Sequence, residues 1–211
     1  MPAPRRAGQR SVKPAANAGL TLYAASDSVE SDWARLVLAE KEVEDARVAL
    51  IRPGQLDEDL AVLNPSQSLP TLVDREGVLT GGWVIAEYLD ERYPQPRLTP
   101  TAPAERARLR MALRHIERDL FPLAERSRMA TRAGADILQK TLVDVLGTAV
   151  RHIGAKGWFL GFDYNLVDCA CAVLLRRLSR GALSTQPALA QYAQRLFARN
   201  AFRTSFGESS S

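Results

Sequence analysis

Cysteine and histidine are nearly missing from this chain, which holds two of each in 211 residues. Cys169 and Cys171 sit two positions apart in one apolar run. On a helix they point about 200° apart, so they are not expected to bridge, and two packed thiols in a reducing compartment are predicted. His115 and His152 stand without cysteine or carboxylate companions at ligand spacing, so no metal site and no cofactor is predicted. Long apolar runs are also lacking. None approaches the roughly 20 residues that span a bilayer, and the basic start is not followed by the apolar segment of a secretory signal. A cytoplasmic address and no membrane partner are therefore expected. No internal repeat, helix-turn-helix, zinc finger or aromatic-interleaved basic motif occurs, which argues against autonomous sequence-specific DNA binding.

What remains is globular in character, with 46% hydrophobic and 25% charged residues. The net charge of +4 hides a split. Residues 1–18 carry Arg5, Arg6, Arg10 and Lys13 and no acid. Residues 19–97 hold 7 basic and 15 acidic residues, and residues 98–211 hold 17 and 9. The division predicts two domains and a dipolar surface suited to a charged macromolecular partner, or two solvated faces of opposite sign. Residues 1–18, with no hydrophobic period, read as a disordered basic tail, and residues 207–211 as a second tail.

Between the tails the chain changes character once. Leu20 to Tyr23 alternates as a strand; Ser26, Asp27, Ser28 and Ser31 offer helix caps, and Trp33, Leu36, Val37 and Glu40 carry a helical pattern to about Lys41. Arg47 to Ile51 is a strand stopped by Pro53-Gly54, and a short helix over Asp57 to Leu63 is closed by Asn64-Pro65. Ser68-Leu69-Pro70-Thr71-Leu72-Val73 then enters a hairpin turned by Asp74 to Gly77. A proline cannot donate to a ladder, so Pro70 belongs at the strand start, with Leu69-Pro70 as a candidate cis bond. Trp83 to Arg92 is helical, with Val84, Ile85, Tyr88 and Leu89 expected inward. This β-α-β-α-β-β-α order, over residues 19–97, is that of a thioredoxin-like α/β domain.

Tyr93 to Pro100, with prolines at 94, 96 and 100, cannot be helix and reads as an exposed loop. Residues 98–206 are predicted all-α. Leu109, Leu113, Ile116, Leu120 and Leu123 form one stripe, flanked by a ridge of Arg106, Arg110, Arg114 and Arg118. Further helices are expected over about Ala135 to Ile153, over Asn165 to Leu178 as the central buried helix with Asn165 and Asp168 as its cap, and over about Pro187 to Arg199 with Asn200 as C-cap.

A thioredoxin-like half followed by a helical half resembles the glutathione transferase superfamily. The residues that carry the likeness are Leu69 to Val73, Glu87 to Asp90, Asn165 to Asp168 and Asn200 to Phe202. Within it, Arg35 to Lys41, Leu63 to Pro65, Pro70 to Arg75, Glu87 to Pro94 and His115 to Asp119 are similar to the stringent starvation protein A family. The resemblance implies a homodimeric cytoplasmic transcription factor, without transferase activity, that associates with RNA polymerase and its sigma factor through a loop that typically reads Pro-His-Pro. Here the loop reads Pro94-Gln95-Pro96. Gln95 keeps hydrogen bonding but carries no charge, and Arg92, Tyr93 and Arg97 flank it as anchors. The ridge Arg106, Arg110, Arg114 and Arg118 could face a sister subunit, DNA or solvent, and the resemblance favours the dimer interface.

The alternative is a glutathione-using enzyme. It needs a thiol-activating residue at the start of the first helix, for which Ser28 and Ser31 are the candidates beside their role as caps. It also needs an acid or Gln followed by Ser at the start of the third helix, to hold the γ-glutamyl group. Gly81-Gly82 stand there, so Pro70, Gly81 and Gly82 read as a vestigial glutathione site, with Glu30 and Trp33 on its wall.

Overall fold

The structure, a computed structural model, describes residues 19–207 except 56, 154–156 and 162. The expected basic tail 1–18 and residues 208–211 lie outside the described residues.

Strand β1 (Thr21–Ala25) is followed by helix α1 (Val29–Glu40), strand β2 (Arg47–Ile51), helix α2 (Glu58–Leu63), strands β3 (Thr71–Asp74) and β4 (Gly77–Thr80), and helix α3 (Gly82–Arg92). The sheet order is β2-β1-β3-β4. Strands β1 and β2 pair in parallel across the α1 crossover, and the other two pairings are antiparallel. The expected thioredoxin-like order is present. Leu69-Pro70 is cis, as read from the sequence, and the Gln95-Pro96 bond is cis as well, which the sequence did not announce.

One face of the sheet, carrying Leu22, Ala24 and Leu72, packs on α1 and α3. The opposite face, carrying Tyr23, Ile51 and Val73, packs on Leu60 of α2. Alternation along β1 dictates this division, because successive side chains point to opposite faces. The expected inward face of α3 holds for Ile85 and Leu89. Val84, however, is 54% exposed, and Ala86 takes an inward place, since a 100° step carries position 84 away from the face shared by 85 and 89.

The second half is helical: α4 (Pro103–His115), α5 (Phe121–Met129), α6 (Arg132–Ala149), α7 (Leu166–Arg176), α8 (Arg180–Ser184), α9 (Pro187–Phe197) and α10 (Asn200–Phe206). The stripe Leu109, Leu113, Ile116, Leu120 and Leu123 is buried throughout. Its helix is interrupted by a π turn over Ile116–Leu120, closed by the Phe121 N–H on the Ile116 carbonyl. One other expectation is corrected, and one helix was not anticipated. Asn200 does not cap a preceding helix. It opens α10, with Arg199 as N-cap. Helix α8, only five residues long, carries too few apolar positions for a periodicity to show.

Helix α7 is the central helix anticipated from its composition, buried from Leu166 to Leu175. Asn165 Oδ1 accepts from Val167 N at 3.0 Å, and Asp168 Oδ2 accepts from Asn165 N at 3.0 Å. Asp168 Oδ1 also takes Phe159 N at 2.9 Å and the Tyr192 hydroxyl at 2.5 Å. Both cysteines lie buried and unbridged on this helix, and burial pushes their thiols up.

Burial raises the Asp168 carboxyl to about 6, against the pull of its three donors. The folded state therefore binds this proton at a pH where the unfolded chain does not, and the group adds stability as pH falls from about 7 towards 4. The stability difference between the wild type and Asp168→Asn, read from urea unfolding, is expected to grow by about 2 kcal/mol between pH 7.5 and pH 4.5. A difference independent of pH would show that the carboxyl is ionised throughout.

Candidate functional site

Two places invite function: the cleft at the starts of α1 and α3, and the exposed loop that follows α3. In the cleft, the first turns of two helices leave backbone N–H groups without intrahelical partners. Ser28 is the N-cap of α1, its Oγ accepting from Ser31 N at 3.3 Å. Ser31 is fully buried, and its Oγ accepts from Ala25 N at 3.0 Å. Both candidate serines thus hold the turn between β1 and α1.

The donors a ligand would use are taken by the chain's own acids. Val29 N donates to Glu125 Oε1 of α5 at 2.6 Å, and Gly82 N donates to Glu30 Oε1 at 2.6 Å. A side chain at position 82 would bring its Cβ within 2.6 Å of Glu30 Cγ, so the glycine is what admits the Glu30 carboxylate. Gly81 N reaches the Pro70 carbonyl at 3.3 Å and has a φ of 89°, a conformation suited to glycine. Pro70, Gly81, Gly82 and Ser28 do come together, around Glu30. Desolvation, and then Glu30 itself, raises the Glu117 carboxyl, so the cleft wall is acidic.

The loop is a different kind of place. Arg92, Pro94, Gln95, Pro96 and Arg97 are exposed, Tyr93 is half-buried, and Leu98 is buried at 1%. Its foot is fixed from below. Lys41 Nζ, at the C-cap of α1, donates to Asp90 Oδ1 at 2.5 Å and to the Pro96 carbonyl at 2.5 Å. Asp90 also accepts from Leu98 N at 2.7 Å and from the Thr99 hydroxyl. The Lys41 and Asp90 side chains are 0% and 3% exposed. A buried ammonium is tolerated only when paired and hydrogen-bonded, and here the loop supplies one of its acceptors. Leu166 N on the Leu98 carbonyl, 3.0 Å, ties the far end to α7.

The Tyr88 hydroxyl bonds Asp74 Oδ2 at 2.5 Å, and burial together with Asp74 pushes Tyr88 up to about 12. Arg92 lies 4.0 Å from the same carboxylate. A groove of about 250 Å³ beside the loop is lined by Glu87, Glu91, Pro94, Arg97, Arg106 and Arg110, among others. Arg110 Nε pairs with Glu87 at 2.7 Å, and Arg106 donates to the Pro100 and Thr101 carbonyls. Two of the four ridge arginines therefore share the loop's groove. Arg114 is exposed further along α4, and Arg118 pairs with Asp119, whose carboxyl it holds at about 2.

The glutathione S-transferase N-terminal domain family matches residues 22–97. A protein named stringent starvation protein A homolog, from Coxiella burnetii, is 37% identical over 196 residues, 91% of this chain and 93% of that protein. The chain belongs to the stringent starvation protein A family. A maleylacetoacetate isomerase of Pseudomonas aeruginosa is 32% identical, over 87% of this chain and 94% of its own. Glutathione transferase Omega 3C from Trametes versicolor has the same fold, with a TM-score of 0.74 at 21% identity over 88% of this chain and 83% of that one. The family's fold is thus shared with enzymes, and residue detail must separate them.

Lys41 and Asp90 were present in the motifs that suggested the family, yet nothing in the sequence assigned them a task. Their pairing spans 49 positions and carries no local signal. Glu125, reaching Val29 from 96 positions away, was equally silent. A lysine ending an apolar helix face, and an acid two residues before the end of another, were the available hints.

Removing one partner of the buried pair leaves the other charge stranded. Asp90→Ala is expected to lower stability by about 3–5 kcal/mol. Lys41→Met with Asp90→Leu should recover much of the loss while releasing the Pro96 carbonyl. Chemical denaturation measures both. A double variant as unstable as Asp90→Ala alone would show that packing, rather than a stranded ammonium, sets the cost.

Proposed function

We propose that the protein is a noncatalytic transcription regulator that binds RNA polymerase holoenzyme, at its sigma-factor region, on a homodimeric cytoplasmic scaffold. The observation that carries the reading is the filling of both helix N-termini by Glu30 and Glu125. A thiol peptide needs those amides for its sulfur and its γ-glutamyl carboxylate, and a thiolate gains from an electropositive helix start. Here each is already bonded to a carboxylate, in an acidic cleft that disfavours a second anion. The surface left for work is the loop Arg92 to Arg97, exposed but anchored from below. An anchored loop loses little entropy on binding, and Tyr and Arg are the side chains most enriched at interface hot spots. Gln95 offers an amide where the resemblance implies an imidazole, so recognition there is by hydrogen bonding at any pH. Arg114 and the exposed Met111, on the outer side of α4, are offered to the second subunit.

The rival reading, a glutathione enzyme using Ser28, is favoured by the likeness to the isomerase. Calorimetry with millimolar glutathione is expected to give no heat of binding. Ser28→Ala is expected to cost about 1 kcal/mol of stability as a lost cap and no activity. Glutathione binding, with turnover abolished by Ser28→Ala, would reverse the assignment.

Pro94→Ala combined with Pro96→Ala is expected to reduce co-purification of RNA polymerase several-fold from native lysate, with the dimer still folded by circular dichroism. Undiminished recovery of polymerase on the folded variant would move the contact surface elsewhere.

A further inference from the structure

Helix α1 carries three buried ionised side chains. Two are matched one to one, Lys41 by Asp90 and Glu40 by Arg199. The third, Asp32, is not. The residue is 1% exposed, and its carboxylate accepts from Arg35 Nη1 at 3.0 Å, Arg176 Nη1 at 3.2 Å and Arg177 Nη2 at 2.7 Å. Among the described residues no second carboxylate pairs with these three. Guanidinium does not deprotonate in proteins, so among the described residues three of them face one acid, an excess of two positive charges.

The surroundings relieve this only in part. The Phe206 ring of α10 lies 4.6 Å from Arg176 and 5.1 Å from Arg35, a favourable but neutral partner. Arg35 also donates to the Ser205 carbonyl at 2.6 Å. Arg177 Nε is buried with no acceptor among the described residues. Burial, with the facing Arg177 and Arg35 charges against the pull of Asp32, lowers the pKa of Arg176. The cluster is not sealed. Arg176 is 36% exposed at its side chain, and a groove of about 520 Å³ between α1 and α10 runs up to Arg35 and Ser205.

We propose that Arg35, Arg176 and Arg177, seated on Asp32, form a binding site for a phosphate-class dianion, supplied as free orthophosphate or as the phosphate of a nucleotide. The two uncompensated charges match a dianion, and forked guanidinium donors suit the edges of a tetrahedral oxyanion. Chloride or acetate would neutralise only one. Because the arginines come from α1 and α7 and two of them carry Phe206 of α10, the bound ion ties the sheet-bearing half to the C-terminal helix. The site uses none of the residues assigned to the Glu30 cleft or to the loop, so it stands whether or not the polymerase reading does.

Thermal unfolding of the full chain tests it, with ionic strength held constant by sodium chloride. Orthophosphate at 10 mM is expected to raise Tm by about 3 °C over the chloride control. Arg176→Gln should keep the wild-type Tm, or exceed it, in phosphate-free buffer, because one source of repulsion is gone, and should lose the phosphate-specific shift. Arg176→Lys, which retains the charge without the fork, should keep part of it. AMP in place of orthophosphate separates the sources: a larger shift assigns the site to a nucleotide, and an equal or smaller one to the free ion. A phosphate shift no greater than that of chloride, or a full shift in Arg176→Gln, would overturn the proposal.

Discussion

A charge taken out of water must meet its opposite, and in this protein that constraint falls on one helix. Helix α1 lies between the sheet and the helical half, with Trp33, Leu36 and Val37 almost wholly buried. The same helix also buries Asp32, Glu40 and Lys41 at its end. Each must draw a partner from another element: Asp32 from α7, Glu40 from Arg199 at the start of α10, and Lys41 from α3. Apolar burial supplies the gross stability, but it is non-directional and would permit the two halves to slide. Ion pairs with a stranded-charge penalty do not permit it. The register between the sheet and the helices is therefore set from α1 outwards.

The same economy explains why, in a fold shared with glutathione enzymes, the amides at the starts of α1 and α3 are bonded to the chain's own acids. Position 82 lacks a side chain, and Glu30, in the first turn of α1, fills the space and takes the amide. Glu125 does the same at Val29 from the helical half. These are caps, and caps stabilise the helices they close. A substrate would have to displace a charge-assisted bond at each end before making its own. Glu125 also joins the two halves, so one contact both caps α1 and fastens the helical half to the sheet-bearing one.

How far the sequence disclosed this depends on the range of the interactions. The order of elements, the helix caps at Ser28 and Asn165, the buried character of α7 and the cis bond at Pro70 follow from neighbours within a few positions, where propensity and periodicity operate. The π turn at Ile116–Leu120 kept its apolar stripe, so the pattern concealed the wider turn. Asn200 suits a helix start as well as a helix end, and only the packing of Phe202 and Phe206 decides for the start. In the candidate site, Gly81 and Gly82 signalled a missing ligand grip. The acid that replaces the ligand, and the lysine that holds the loop, act across 52 and 49 positions and leave no trace in local order.

The three ionised sites on α1 can be compared with one another, because they share a helix and a depth. Lys41 with Asp90, and Glu40 with Arg199, are balanced, and both serve geometry: one fixes the loop, the other fixes the approach to α10. Asp32 has the same burial with, among the described residues, an excess of two cations. If fastening were its whole task, one arginine would do, and the added guanidiniums would cost desolvation and mutual repulsion with nothing gained. Their forks share one carboxylate on the Arg176 and Arg177 side, they remain partly open to solvent, and the ring beside them is one that tolerates cations without neutralising them. An excess maintained at that depth is accounted for when a mobile anion completes it, which makes the third fastening of α1 the one that responds to the solution around it.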